Sequence, residues 1–173
     1  ERIIPIRFVD SLTTAASAPI PSSVDELKEL WPFALVNEFD QMVRIPSGDH
    51  LVQGCVALPK HYDLVIDAGA NLKFGSEGCL MVEGTIEING TETEAVVLGP
   101  AQETWRGIYV QRAGGVSTWS HVSVQGTRGF DFDGRLITGG VTFNESPLVL
   151  RSVSFSDNRS EDALNVVGSS IDF

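Results

Sequence analysis

The chain has 173 residues, with 12 basic against 23 acidic side chains and a formal charge of −11 at pH 7. That length suits one domain with a real core, and that charge argues against nucleic acid or an anionic membrane as partner. No apolar run approaches the roughly 18 residues of a membrane-spanning helix, and 17 glycines and nine phenylalanines suit strands and turns better than a helix bundle.

Residues 1–50 read as an N-terminal extension and cap. The chain opens on Glu1 without a signal-peptide pattern, so a leader was removed or never present. "IIPIRFV" (Ile3–Val9) alternates as a strand does, and "TTAASAPIPSS" is a Pro/Ser/Ala linker. "SSVDELKELWPF" then starts a helix. Ser23 and Glu26 make a capping box, and Asp25 and Glu26 favour the positive end of the dipole. Val24, Leu27, Leu30 and Trp31 share one face, and Pro32 limits the run. A short helix over 24–31 with Leu27 and Leu30 buried is expected to cover one end of the molecule.

From Cys55 onward, strands of three to five residues alternate with Gly-, Asn- and Ser-containing turns. "GCVAL", "GCLMV", "GIYV", "GVTF" and "DALNV" align with Val56, Leu80, Ile108, Val141 and Leu164 as equivalents, at steps of 24, 28, 33 and 23 residues. A second series runs "LVI" (Leu64–Ile66), "IEI" (Ile86–Ile88), "VSV" (Val122–Val124), "VSF" (Val153–Phe155) and "IDF" (Ile171–Phe173). Each member has apolar residues about one central residue, the period of a strand with one buried face. A step in the twenties with short strands is what a parallel β-helix requires, each coil laid on the one before. Val56/Leu58, Leu80/Val82, Ile108/Val110, Val141/Phe143 and Leu164/Val166 then point inward. Ala57, Met81, Tyr109, Thr142 and Asn165 point outward. A β-sandwich is the alternative. It would favour hairpin turns like Asn89-Gly90 and lacks a reason for the regular spacing.

Cys55 and Cys79 fit no metal motif. Their separation of 24 equals one coil, placing them side by side on neighbouring parallel strands. A spacing of about 4.8 Å permits a disulfide; two reduced thiols are the alternative. Three N-x-S/T triplets, at Asn89, Asn144 and Asn158, carry meaning only in a eukaryotic secreted protein.

"LPKHYDLVIDAGANLKF", "CLMVEGTIEINGTETEAVVL", "TWRGIYV" and "TGGVTFNESPLVLRSVSFSDNRSEDALNVVGSSIDF" resemble right-handed parallel β-helix repeat proteins of the pectate-lyase-like superfamily, bacterial secreted or envelope members above all. The resemblance covers about residues 58–173. It implies an all-β, right-handed parallel β-helix of about five coils over residues 51–173, and a secreted or cell-envelope location. It also implies that coils continue past Phe173, with further coils or end-to-end self-association at the C-terminal edge. The same fold carries lyases, hydrolases, adhesins and spacers, so it leaves activity open.

Lyases of this family use a basic residue beside carboxylate-held Ca²⁺, and its hydrolases use clustered aspartates. Lys73, Arg106, Arg112, Arg128, Arg135 and Arg151 are the basic candidates here, in no lyase motif. The paired-Asp and Gly-His-Gly patterns of the hydrolases are absent, and His50, His61 and His121 are scattered. The longest step, Ile108 to Val141, holds "GTRGFDFDGRLITGG". There Asp131 and Asp133 resemble the start of a Ca²⁺ loop but lack its later ligands; a tight acidic turn with Phe130 and Phe132 pinned inward is the simpler reading. Asp157, Glu161 and Asp162 pose the same choice between cation and turn. Trp105, Arg106, Tyr109, Trp119 and His121 are the candidates for binding a polysaccharide by ring stacking. The alternative is that Trp105 plugs a corner and Trp119 packs under the long loop. Three functions follow: a non-catalytic scaffold or polysaccharide-binding module, part of a polysaccharide lyase or hydrolase completed by later coils, or a structural spacer.

Overall fold

The computed structural model describes residues 23–132 and 134–173. The strand expected at Ile3–Val9 and the linker after it lie outside these residues, as does Asp133. The described chain is mostly β, with one helix and parallel strands, and its larger sheet curls into a half-barrel.

Helix α1 (Val24–Leu30) starts where the capping residues place it: the Glu26 N–H donates to Ser23 Oγ at 3.3 Å. Leu27 and Trp31 are fully buried and belong to the same apolar cluster as the strands. Leu30, expected to be buried, is 41% exposed. The helix ends at Leu30, and Trp31 leaves it with φ −121°. The indole stacks on Phe33 with ring centres 5.6 Å apart and is buried, while Leu30, the last helical residue, is left at the surface.

The strands follow in successive passes. The first comprises β1 (Leu35–Asn37), β2 (Met42–Ile45) and β3 (Gly48–Val52), and the second β4 (Cys55–Ala57), β5 (Asp63–Asp67) and β6 (Ala70–Phe74). The third comprises β7 (Cys79–Val82), β8 (Ile86–Asn89) and β9 (Val96–Pro100). Next come β10 (Gly107–Gln111) and the nine-residue β11 (Ser117–Gln125), then a hairpin of β12 (Phe130–Phe132) and β13 (Arg135–Ile137). The last passes are β14 (Gly139–Asn144) with β15 (Leu148–Ser156), and β16 (Asp162–Val167) with β17 (Ile171–Asp172).

One sheet holds β4, β7, β10, β14 and β16, all parallel, with Val56 opposite Leu80, Leu80 opposite Ile108, Ile108 opposite Val141 and Val141 opposite Leu164. This is the register expected from the repeat. Val56, Leu80, Ile108 and Val141 are at most 1% exposed. The larger sheet pairs β2 with β5 and β3 with β6 in parallel, so parallel pairing begins at Met42, within the segment read as the extension. The sheets are mixed, because β1–β2 and β12–β13 are antiparallel.

The second series is corrected. Leu64–Ile66 does lie beside Ile86–Ile88, but Ile88 faces Trp119, and Val122–Val124 lies beside Val96–Leu98. Val122–Val124 does lie beside Val153–Phe155, but Ile171 faces Leu148, not Val153. Two columns of strands stand where the spacing predicts one. They are distinct up to β8 and β9, then fuse in β11 and β15, which bend in mid-strand at His121 (φ 49°) and Ser152 (φ 54°). Between strands the corners are tied by side chains reaching to the adjacent pass. Asp63 Oδ1 accepts from the Thr85 N–H at 2.6 Å, Ser117 Oγ from Ile86 at 3.0 Å and Ser146 Oγ from Ala113 at 3.0 Å. Such bonds satisfy the turn backbone that no strand ladder serves.

Candidate outer-face groove

The outward residues of the parallel sheet form a row in register: Ala57, Met81, Tyr109, Thr142, Asn165. A row that apolar at its start would be a liability if bare. The β12–β13 hairpin covers part of it. Phe130 and Ile137 bury against Cys55, Cys79, Met81 and Tyr109 in a cluster separate from the main core. Phe132 is partly buried against the same cluster. Cys55 and Cys79 form a disulfide there with Cα atoms 4.2 Å apart. They point away from the core, and the hairpin leaves them 6% and 0% exposed.

Where the hairpin stops, the outer face is hollow. A cavity of about 360 Å³ lies over Ala57, Met81 and Tyr109, between Phe132 on one side and Pro59–Lys60 on the other. Its polar edge is the Glu83 carboxylate, which accepts from Gln111 Nε2 at 2.9 Å. A second hollow of about 240 Å³ shares Tyr109 and continues along the row to Thr142 and Asn165. The Thr142 hydroxyl is buried there without a partner. Apolar floor and a few polar groups at the edge are what small-molecule and glycan sites share.

Of the aromatic candidates, Tyr109 alone lies in this groove, and it is 6% exposed. Trp105 and Trp119, candidates for ring stacking, are both completely buried, as the alternative of packing residues has it. Trp105 stacks on Phe74 with ring centres 3.9 Å apart, and its Nε1 donates to the Gln125 carbonyl at 2.6 Å. Trp119 meets Phe143 edge-on at 5.6 Å. Parity counted from Ser123 predicts an outward Trp119, but the alternation does not run unbroken through β11. Ser120 and His121 are both partly exposed because the left-handed φ of His121 inserts a bend, which resets the alternation. His121 itself sits at that bend on β11, away from the parallel sheet's outer row. Arg106 is not free either: it pairs with Glu77, which also holds Arg128 at 2.9 Å.

Catalytic and metal candidates do not converge. Lys73 pairs with Asp49 at 3.2 Å, and Asp49 accepts from Asn71 Nδ2 at 2.6 Å. The Lys73 ammonium, with Asn71, holds the Asp49 carboxyl below the usual carboxylate range. Asp131 is exposed at the hairpin turn, where its Oδ1 accepts from the Gly134 N–H at 3.1 Å. Among the described residues, no three metal-binding side chains come together. In the second acidic stretch the turn is tied by Asn158, whose Oδ1 accepts from both N–H and Oγ1 of Thr127, at 3.0 and 2.7 Å.

What the sequence reading missed is the groove. Its signals were present separately: Met81 and Tyr109 on the outward parity, and two phenylalanines in the longest interval. The link between them is the fold of the hairpin onto the sheet. No protein-family model, curated protein or solved structure matches the chain.

Proposed function

We propose that the chain is a non-catalytic module of a right-handed parallel β-helix from a secreted or envelope protein. In this reading α1 caps its first pass, and its outer groove holds a polysaccharide. The fold part rests on the in-register parallel row from Val56 to Leu164. The binding part rests on one observation: the hollow over Met81 and Tyr109 beside the Glu83–Gln111 pair. A sugar ring presents an apolar face and a polar rim, which match that floor and that edge. With a net charge of −11, and with Lys60 at the groove offset by Glu83, a neutral glycan is favoured over a polyuronate. The burial of both candidate tryptophans leaves a small contact area, so binding is weak and of scaffold type.

Affinity electrophoresis through gels of neutral and uronic polysaccharides tests this. Retardation is expected in a neutral gel, and Tyr109→Ala should weaken it by about 1 kcal/mol, the low end of aromatic stacking. Unretarded migration in every gel would leave the module a spacer.

A further inference from the structure

The three N-x-S/T triplets are not equivalent in the folded chain, and the difference decides which can bear a glycan. Asn158 is partly buried and its side-chain oxygen is spent on two hydrogen bonds from the fully buried Thr127. Linking a sugar to its nitrogen would bring a bulky polar group against this corner. Asn144 closes β14 between β10 and β16, and the hydroxyl residue of its triplet, Ser146, is completely buried. Ser146 Oγ there accepts from the Ala113 N–H and donates to the Asn144 carbonyl. Asn144 lines the second hollow together with Tyr109 and Thr142.

Asn89 differs at every point. It is exposed at the end of β8, and its amide nitrogen donates only to the exposed carboxylate of Glu87, at 2.9 Å. Water can replace that bond at little cost. Gly90 follows it, packed so close to the Ser120 and His121 carbonyls that a Cβ would collide with them. The backbone therefore turns inward after Asn89 while the side chain remains outside. Thr91, the triplet's hydroxyl residue, is exposed, and its Oγ1 merely caps the Glu94 N–H at 3.0 Å.

We propose that Asn89 is the one N-glycosylation acceptor this fold offers to a eukaryotic secretory pathway, and that the folded molecule carries no glycan on Asn144 or Asn158. The donor is a lipid-linked oligosaccharide pyrophosphate. Asn89 Nδ2 forms the bond to C1 of the first sugar and gives up one proton. The C1–O bond to the lipid pyrophosphate breaks, and the pyrophosphate leaves with its electron pair. The inference is independent of what the groove binds.

The experiment is expression of the chain in a eukaryotic secretory host, followed by isolation of the monodisperse, disulfide-bonded secreted fraction. Glycosidase release in heavy-oxygen water then maps the occupied sites by mass spectrometry. One glycan is expected, on Asn89, and it should be lost in Asn89→Gln and in Thr91→Ala with secretion retained. An unmodified Asn89 in the wild-type secreted protein, or a glycan on Asn144 or Asn158 in that fraction, would overturn the assignment.

Discussion

Trp105 shows how one side chain's role follows from what it touches. Its ring lies flat on Phe74 and its N–H is satisfied by the Gln125 carbonyl, so the indole ties β6 to the end of β11. Trp105→Ala should cost about 3–5 kcal/mol, as for other large-to-small core changes, read by urea unfolding. Glycan retention should be unchanged in that variant wherever it remains folded. Asn158→Ala removes the acceptor of two Thr127 donors and should cost about 1–3 kcal/mol for the groups left unpaired. Gly107 has φ +129°, and any Cβ there would run into the Gly140 carbonyl. Gly107→Ala should therefore destabilise by about 1–3 kcal/mol, the range for a held left-handed backbone. Asp49 supplies a pH test. Its carboxyl is depressed by Lys73 and Asn71, so its contribution is present above the unfolded value and is lost as pH falls through the folded one. An NMR titration should find Asp49 below the ordinary aspartate range and Asp49→Asn should flatten the acid end of the stability curve slightly.

The hairpin of β12 and β13 is the element that turns a bare outer face into a site. It buries Phe130 and Ile137 on the disulfide and sets Phe132 as one wall of the groove. A disulfide 6% and 0% exposed is out of reach of a dissolved reductant. Cys55 and Cys79 should thus resist reduction in native protein and become reducible in urea, followed by thiol labelling and mass. In Phe130→Ala/Ile137→Ala the native bridge should be reduced faster, because the cover is gone. Equal rates in variant and wild type would mean that the strands themselves, and not the hairpin, protect the bond. The short helix has a simpler role. Leu27, Trp31 and the partly buried Val24 pack on the core, and Leu30 is exposed. Leu27→Ala should destabilise by about 2–5 kcal/mol, whereas Leu30→Ala should change stability little.

Across the molecule, stability is built from contacts between successive passes, each parallel strand resting on its counterpart. The disulfide joins two neighbouring passes across 24 residues. Replacing both cysteines by alanine should cost about 2–4 kcal/mol, measured by thermal or urea unfolding. The −11 charge is spread over this stack, and the ion pairs at Arg44–Asp67, Lys73–Asp49 and Arg128–Glu77 are exposed. Pairs of that kind contribute little each, so added salt should relieve net repulsion more than it weakens them.

Much of this was legible in the residues alone. The steps between Val56, Leu80, Ile108, Val141 and Leu164 predicted which strands would be neighbours, and the 24-residue interval placed Cys55 beside Cys79. Ser23 marked the helix start. These succeed because strand alternation, repeat length and capping are local rules, written in residues a few positions apart. Trp119 and the second series failed where a corner intervened, since one left-handed residue such as His121 resets the alternation without changing the composition, and Leu30 failed where the helix ends. The groove and the choice among the three asparagines were beyond local rules altogether. Both depend on which surface another pass or the hairpin comes to cover, and only the packed chain decides that.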